Sequence, residues 1–319
     1  MLRAILIYLS KARWSRQLVT GWRFARRAAA RFVAGDTLEE ALGAIRTLNA
    51  LGMNATLDHL GENVTNAEEA LRATDDYILL LNKIQSPEYR ANISLKLTQL
   101  GLALDFDMAL SNMRCIARQG ASLGTFLRID MEDSPTVDRT LQIYRALREE
   151  GSKNIGLVIQ SYLYRSREDM AALLAEGVRI RLVKGAYKEP ADVAFPRKAD
   201  VDSCFDDLTR MAIDAALDFG SEPATVDGKV PPLTAIASHD EKRIDYARWY
   251  AETVGLPKPA LEFQMLHGIR TDLQRQLTRD GYPVRVYVPY GTEWYPYFMR
   301  RLAERPANVW FLLSNLLRR

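Results

Sequence analysis

The sequence has few of the residues that build metal sites and disulfide frameworks. Its 319 residues include two cysteines, Cys115 and Cys204, and three histidines that lie far apart. Two cysteines without a CxxC spacing predict free thiols in a reducing compartment. Three scattered histidines argue against a zinc site. We therefore expect neither a secreted disulfide scaffold nor a metal centre.

Long apolar runs and a strong charge of one sign are also missing. No run of about 18 apolar residues occurs, so we expect no segment that crosses a membrane, and no small-residue cleavage site follows a clean apolar run as a signal peptide requires. A net charge of +3 and the lack of a known nucleic-acid motif argue against a nucleic-acid partner. Hydrophobic content of 48% and charged content of 26% are typical of a globular protein with a large core. We expect a cytoplasmic protein.

The first 34 residues form a separate zone of composition. Before residue 34 this zone has eight basic residues and no acidic residue, with tryptophan and aliphatic side chains between them. The pattern predicts a basic amphipathic helical arm, residues 1–34. The arm could contact an anionic membrane surface, or it could lie on the main domain with its arginines in water.

From residue 35 onward, strand-like apolar runs alternate with amphipathic helical stretches. The runs are Asn54–His59, Asn92–Leu97, Thr125–Asp130, Ile155–Gln160, Val178–Lys184, Leu233–Ser238, Leu261–Met265 and Val284–Val288. Eight repeats of this alternation predict a (β/α)₈ TIM barrel, residues 35–319. The alternative is an open doubly wound sheet, which is weakened because no GxGxxG follows an early strand.

Polar side chains occupy every second position in several of these runs. In LRID, for example, Arg128 and Asp130 alternate with Leu127 and Ile129, and the other strands contribute Ser94, Lys96, Gln160, Glu262, Gln264, Arg285 and Tyr287. Because successive side chains point to opposite faces of a strand, the polar set should point into the barrel. Polar groups at strand ends would then converge at the carboxyl-terminal mouth, where barrel enzymes hold their active sites.

The stretch Tyr290–Glu304 predicts a strand end, a tight turn and an amphipathic helix that begins between Glu293 and Pro296. Residues spaced four apart form one apolar stripe, namely Trp294, Phe298 and Leu302. A second face carries Tyr297, Arg300, Arg301 and Glu304. Two adjacent arginines could clamp a small carboxylate or phosphate. The alternative is a solvated charged face.

Seven motifs follow one another along the predicted strands and the last helix: ISLKL, LRIDME, VIQSYLYR, RLVKGAY, ASHD, LEFQMLHG and YFMRRLAERPAN. In this order they resemble the FAD-dependent proline dehydrogenases, and most closely the short monofunctional bacterial enzymes. The resemblance spans about Gly35 to Asn308. Each motif alone is weak, but the ordered set is highly specific. Lys188 stands where larger members of the family often have tryptophan.

The resemblance implies a distorted barrel that binds FAD noncovalently and oxidises L-proline to Δ1-pyrroline-5-carboxylate, with the electrons passed to a membrane quinone. It implies Asp130 and Arg181 as the catalytic pair. The substrate carboxylate would be held by Lys96, Arg300 and Arg301, and the substrate ring would be enclosed by Tyr287, Tyr187, Leu266 and Tyr297. FAD would be held by Met131, Gln160, Arg181, Lys184, Gly185, Ala186, Ser238, His239 and Glu304.

The resemblance also implies partners. We expect the aldehyde dehydrogenase that uses the product to be a separate chain. Transfer of electrons to a quinone would bring the enzyme to the inner face of the cytoplasmic membrane as a peripheral protein. We further expect a gate, in which Glu62, after the first strand, pairs with Arg300 when substrate is bound.

A different enzyme class is compatible with some of the same residues. Lys96 and Lys184, at the ends of barrel strands, could form Schiff bases and make the protein an aldolase. Visible flavin absorption favours the dehydrogenase, whereas borohydride trapping of a lysine adduct favours the aldolase.

Overall fold

Eight parallel strands close into a barrel in this computed structural model, which describes Arg26, residues 28–61 and residues 64–304, the last two without their side chains. Each strand pairs with the next along the chain, and β1 also pairs with β8, where Asn54 lies opposite Arg285 and His59 opposite Tyr290. The predicted (β/α)₈ barrel is confirmed, and the open doubly wound alternative is wrong because both of its edge strands would lack this pairing.

The described part of the chain contains the following strands and helices. The strands are β1 (Asn54–His59), β2 (Ala91–Leu95), β3 (Leu127–Ile129), β4 (Ile155–Gln160), β5 (Ile180–Val183), β6 (Thr234–Ala237), β7 (Leu261–Leu266) and β8 (Val284–Tyr290). The helices are α1 (Leu38–Ala50), α2 (Ala67–Ile84), α3 (Phe106–Ser122), α4 (Val137–Glu149), α5 (Ser166–Ala175), α6 (Lys198–Asp218), α7 (Glu241–Val254), α8 (Thr271–Arg279) and α9 (Trp294–Glu304).

The main core lies between the barrel and its ring of helices. Outward-facing strand residues such as Ile93, Leu127 and Phe263 are fully buried against the apolar stripes of the helices. Each stripe follows the helical period, as in α2, where Tyr77, Leu80, Leu81 and Ile84 are all buried. Four helix starts among the described residues have side-chain caps, for example that of α1, where Thr37 forms a capping box with Glu40. Within the described residues no helix is both long and apolar enough to span a bilayer.

Strands β3 and β5 each begin two residues later than the sequence predicts, because the first residue of each predicted run closes the preceding helix instead. The amide of Thr125 donates to the carbonyl of Gly120 at 2.8 Å, and the amide of Val178 donates to the carbonyl of Leu173 at 3.1 Å. Both bonds close helix ends, so β3 begins at Leu127 and β5 begins at Ile180. Apolar composition alone does not distinguish a strand residue from a buried helix-closing residue.

A second apolar cluster covers part of the barrel mouth. Helix α9 begins at Trp294, inside the predicted interval. Its buried residues pack with Phe32 and Val33, from the segment before α1, and with Leu60 and Ile269, from the loops after β1 and β7. The amide of Ala34 also donates to the carbonyl of Pro289 in β8 at 2.8 Å. Residues 28–34 therefore lie on the barrel. Residues 1–25 lie outside the described residues, so the division into an arm and a barrel stays a prediction.

Candidate active site

Asp130 is the centre of a hydrogen-bonded cluster at the mouth of the barrel. Its Oδ1 accepts from Ser94 Oγ at 3.1 Å and from Arg181 Nη1 at 2.7 Å. Its Oδ2 accepts from the Tyr287 hydroxyl at 2.8 Å. Burial, followed by the charges of Asp130 and Asp58, raises the pKa of Tyr287 well above its usual value. The phenol therefore stays protonated at neutral pH and serves as a donor. Side chains from β2, β3, β5 and β8 thus meet on one carboxylate.

Lys96 lies beside this cluster and is paired with an aspartate. Its Nζ lies 3.1 and 3.0 Å from the two carboxylate oxygens of Asp58, and 3.4 Å from the Tyr287 hydroxyl. Asp58 is completely buried at the end of β1. A buried ion pair of this kind holds its ammonium in one place, since separating the charges without water is costly. Lys96 and Asp130 therefore occupy neighbouring parts of one polar site, linked through Tyr287.

Arg181 has a second acceptor below Asp130. Its Nε donates to Gln264 Oε1 at 2.5 Å, and Gln264 Nε2 donates to Glu262 Oε1 at 2.6 Å. Arg285 Nε donates to the same oxygen of Glu262 at 2.9 Å. All four side chains are buried. The hydrogen-bonded chain runs from the mouth into the barrel interior.

The expectation that the interior polar residues converge at the mouth is only partly correct. Arg128, Glu262 and Arg285 are each followed two positions later by another inward-facing polar residue, so they lie deeper in the barrel than the mouth. Arg128 donates to the carbonyl oxygens of Leu157 and Arg179 there. Strand parity predicts correctly that these residues point inward, but parity does not tell how far along the barrel each side chain lies.

Two predicted cofactor residues, Gln160 and Met131, contact each other at the ends of β4 and β3. Gln160 Nε2 donates to the carbonyls of Met131 and Glu132, at 2.8 and 2.7 Å. Gln160 Oε1 is buried and has no hydrogen-bond partner among the described residues. A buried acceptor of this kind is available to a donor on a bound molecule.

The loop after β5 carries Lys184, Gly185, Ala186 and Tyr187, which are all half-buried. Lys184 Nζ lies 2.5 Å from Asp202 and 2.6 Å from Asp240, so its charge is shared by two carboxylates. Gly185 has φ of +116°, and a Cβ there would overlap the ring of Tyr162. The loop thus requires glycine at this position, for conformation and for space.

Ser238 and His239 follow β6 and organise the next edge of the mouth. The Ser238 hydroxyl accepts from the amide of Asp240 at 3.1 Å. His239 Nε2 accepts from the amide of Leu266, the last residue of β7, at 3.0 Å. Leu266 in turn packs against the apolar cluster around α9. His239 therefore links the ends of two strands, and its Nε2 carries no proton.

The charged face of α9 is more buried than a solvated surface would be. Arg301 is 8% exposed and its guanidinium carbon lies 5.1 Å from the ring centre of Tyr297, which is 5% exposed. Arg300 is half-buried. The solvated-face alternative is therefore wrong for Arg301. The side chain of Glu304 and all of Glu62 lie outside the described residues, so the predicted roles of Glu304 in cofactor binding and of Glu62 in the gate stay predictions.

Two residues of the site, Asp58 and Glu189, were not predicted from the sequence. Asp58 had a detectable signal, because a carboxylate two positions after Thr56 shares the inward parity of that strand. Glu189 had none: it accepts hydrogen bonds from the amide and hydroxyl of Ser134, at 2.8 and 2.6 Å, and so ties the loop after β5 to the loop after β3. Such a pair, 55 residues apart, has no local pattern.

Comparison with known proteins gives a consistent result. The family model described as proline dehydrogenase matches residues 41–313. The chain is 39% identical over 319 residues to proline dehydrogenase 1 of Bacillus subtilis, with all of both chains covered. It is 41% identical over 294 residues to proline dehydrogenase of Deinococcus radiodurans, covering 91% of this chain and 90% of the relative.

A solved structure is similar as well. The chain superposes on proline utilization A (PutA) from Bdellovibrio bacteriovorus, inactivated by N-propargylglycine, with a TM-score of 0.78 and 26% identity. The match covers 88% of this chain and 33% of that larger protein. With a family model matched over most of its length and curated relatives matched end to end, this chain belongs to the proline dehydrogenase family.

Proposed function

We propose that this protein oxidises L-proline to Δ1-pyrroline-5-carboxylate. The observation that carries the proposal is the Asp130, Arg181 and Tyr287 cluster at the barrel mouth, in a chain of the proline dehydrogenase family. Oxidation of proline at the bond between its nitrogen and C5 removes a hydride from C5 and a proton from the nitrogen. The reaction therefore requires a hydride acceptor and a site that orients the ring.

FAD is the acceptor that we propose, and the residues at the mouth are compatible with it. The buried and unpartnered Oε1 of Gln160 offers an acceptor to an N–H group. Gly185, with φ of +116° and the ring of Tyr162 packed against its Cα, gives the loop beside the proposed cofactor a backbone conformation that another residue would strain. FAD, when bound, supplies the acceptor for the hydride. Met131, Ala186, Ser238 and His239 would complete its binding site, and Lys184 would act by fixing the loop that carries Gly185.

The substrate carboxylate requires cations. Lys96 is fixed by Asp58, and Arg300 and Arg301 lie on α9, which packs on the loops after β1 and β7. We propose that these three cations hold the carboxylate by charge-assisted hydrogen bonds. Tyr287, Leu266, Tyr187 and Tyr297 would then enclose the ring. The apolar contacts and the carboxylate clamp together orient C5 toward the cofactor.

Arg181 and Asp130 would act on charge rather than by forming covalent bonds. Arg181 is a permanent cation in a site that is nearly closed to water, with 5% of its surface exposed. A fixed cation stabilises negative charge that develops nearby during hydride transfer. Asp130 holds Arg181 and Tyr287 in place. Its negative charge also balances part of the positive charge of the three cations that are proposed to bind the substrate carboxylate.

Electron transfer to a membrane quinone and contact with a membrane surface are further parts of the proposal. Their support is the basic composition of residues 1–34. A quinone-reduction assay with anionic lipid vesicles tests them. Proline-dependent reduction of a soluble quinone that is unaffected by vesicles, and failure of the protein to sediment with them, would contradict membrane contact.

Product trapping tests the reaction itself. With L-proline and an artificial electron acceptor, o-aminobenzaldehyde should trap Δ1-pyrroline-5-carboxylate, and an Asp130→Asn variant should form much less of it. Absence of trapped product from a flavin-containing preparation contradicts the proposal. A lysine adduct trapped by borohydride would instead support the aldolase. The structure disfavours that alternative, because Lys96 and Lys184 are both paired with carboxylates, whereas a Schiff-base lysine reacts as the neutral amine.

A further inference from the structure

We propose that Gln264 and Glu262 are positioning residues for Arg181 in the oxidation of proline, a role that rests on the proposed function. They do so by fixing the plane of its guanidinium group. The sequence alone does not separate this role from simple filling of the barrel interior. The hydrogen-bond directions in the structure do separate the two.

The donor and acceptor directions of the hydrogen bonds from Arg181 to Glu262 are set at their inner end. Glu262 is fully buried and its Oε1 accepts from Arg285 Nε at 2.9 Å, while Arg285 Nη1 donates to the carbonyl of Ala55 at 2.8 Å. The guanidinium of Arg285 has only donors, so the Glu262 oxygen that faces it is an acceptor. The Glu262 oxygen therefore requires a donor from Gln264, which its Nε2 supplies at 2.6 Å.

This requirement fixes the orientation of the Gln264 amide. With Nε2 turned to Glu262, Oε1 must face the other way, toward Arg181 Nε, which lies 2.5 Å from it. The reversed amide would place a donor against the guanidinium and an acceptor against the carboxylate, so both contacts would be lost. Glu262 thus fixes the orientation of the Gln264 amide, and the amide oxygen in turn holds the Nε of Arg181.

Strand β6 leaves the space that this contact needs. The hydroxyl of Thr234 donates to the carbonyl of Ala212 on the outer helix α6, so Thr234 faces outward and Ala235 and Ala237 face into the barrel. In the register of the sheet, Ala235 lies between Arg181 of β5 and Glu262 of β7. Two small inward side chains on the intervening strand allow Arg181 to reach across β6 to Gln264.

Two acceptors on different nitrogens then hold the planar guanidinium. Asp130 binds Nη1 at 2.7 Å and Gln264 binds Nε at 2.5 Å. With Asp130 alone, the group could turn while it keeps that one bond. We therefore predict that loss of Gln264 weakens stabilisation of the transition state rather than substrate binding, because the groups proposed to bind the carboxylate lie elsewhere.

The test compares three variants of the flavin-loaded full chain. Gln264→Met keeps the size of the side chain and removes both of its hydrogen bonds. The double variant Glu262→Gln with Gln264→Glu exchanges the acid and the amide at the same total charge, so that position 264 still offers an acceptor to Arg181 Nε and position 262 still offers one to Arg285 Nε. Asn154→Leu is the matched control, since it also removes two hydrogen bonds of an amide side chain, to Ala117 and Thr125, at the opposite end of the barrel.

We expect Gln264→Met to lower kcat by about 10-fold or more with KM for proline unchanged, since a hydrogen bond to a charged group is lost. The exchanged double variant should recover most of kcat, and Asn154→Leu should keep it. If Gln264→Met folds, binds flavin and keeps the wild-type kcat, the proposal is wrong. If that variant does not fold, the double variant decides: high kcat supports the proposal, and low kcat in a folded protein overturns it.

A second readout does not depend on turnover. In protein labelled with ¹⁵N-arginine, the Nε–H of Arg181, assigned by its loss in Arg181→Lys, should exchange slowly with solvent in the wild type and in the double variant. It should exchange faster in Gln264→Met. Equal exchange in Gln264→Met and the wild type overturns the positioning role. A wild-type protein that shows this protection but does not oxidise proline would contradict the proposed function alone.

Discussion

The Nζ of Lys96 lies 3.0 Å from Oδ2 of Asp58, and this ion pair joins the ends of two neighbouring strands below the mouth of the barrel. The carboxylate is completely buried and the lysine side chain is 11% exposed. The proposed substrate-binding cation is therefore part of the folded core as well as part of the site. Changes at Asp58 should affect stability and substrate binding together.

Replacement of Asp58 by asparagine should reduce the free energy of unfolding by about 3–5 kcal/mol, because the Lys96 charge would remain buried without its partner. Urea titration of the two proteins measures the difference. As a control, Asp58→Leu combined with Lys96→Met removes both charges and should be more stable than Asp58→Asn. A loss below about 1 kcal/mol in Asp58→Asn is the value expected for an exposed pair and would contradict the assignment.

Replacement of Arg301 by methionine should weaken proline binding by about 10- to 150-fold and leave FAD bound, because a charge-assisted hydrogen bond is lost. Spectral titration with proline, or with a cyclic carboxylate that cannot be oxidised, measures the affinity. Arg248→Met is the matched control, since Arg248 also lies over a tyrosine ring, 5.4 Å from the centre of Tyr282. Equal affinities in Arg301→Met and Arg248→Met would show that Arg301 has no part in the clamp.

Gly185→Ala should lower both the flavin content and the free energy of unfolding. Its φ of +116° strains any other residue, and the added Cβ overlaps the ring of Tyr162. Gly151 has φ of +93° with open space around it, so Gly151→Ala measures the backbone strain alone, about 1–3 kcal/mol. Flavin content and stability of Gly185→Ala equal to those of Gly151→Ala would contradict this role of Gly185.

The pH dependence of stability should contain a contribution from Asp206. Burial, only partly offset by Arg243, raises the pKa of this carboxyl to about 6 from its ordinary 3.8. The Arg243 Nε lies 3.0 Å away, but neither atom forms an aligned hydrogen bond with a described residue. Between these two pKa values the folded state binds more protons than the unfolded state, so this contribution to stability falls as the pH rises from about 4 to about 6.

Urea titrations at pH 4 and pH 7 test this sign. Asp206→Asn should gain stability relative to the wild type as the pH rises, because the variant carries no buried carboxylate. The neighbouring Asp207→Asn serves as the control, since that side chain is 45% exposed. A constant difference between Asp206→Asn and the wild type at both pH values would show that the pKa of Asp206 is not raised.

Much of the barrel could be predicted from the sequence because its signals are local. The predicted bounds of β1 and β4 are those of the structure, since apolar periodicity and turn residues mark them directly. The predicted starts of β3 and β5 were wrong. There, buried residues such as Thr125 and Val178 close a helix, and their apolar surroundings look the same in either role.

The site was predicted less completely, because its contacts join distant parts of the chain. Asp130 and Arg181 were predicted as a pair from the family resemblance, and they lie 2.7 Å apart. The link from Gln264 to Arg181 spans 83 positions and depends on small residues in β6, which no local pattern specifies. The burial of Arg301 was equally hidden, since a run of charges is most often a solvated surface.

The most direct test of the central claim is an absorption spectrum of the purified protein before and after anaerobic addition of L-proline. We expect a yellow protein whose visible flavin absorption disappears with L-proline and stays unchanged with D-proline or with no addition. A folded protein that remains colourless after incubation with FAD, or a flavin that L-proline does not reduce, would contradict the proposed function, a flavin-dependent oxidation of proline.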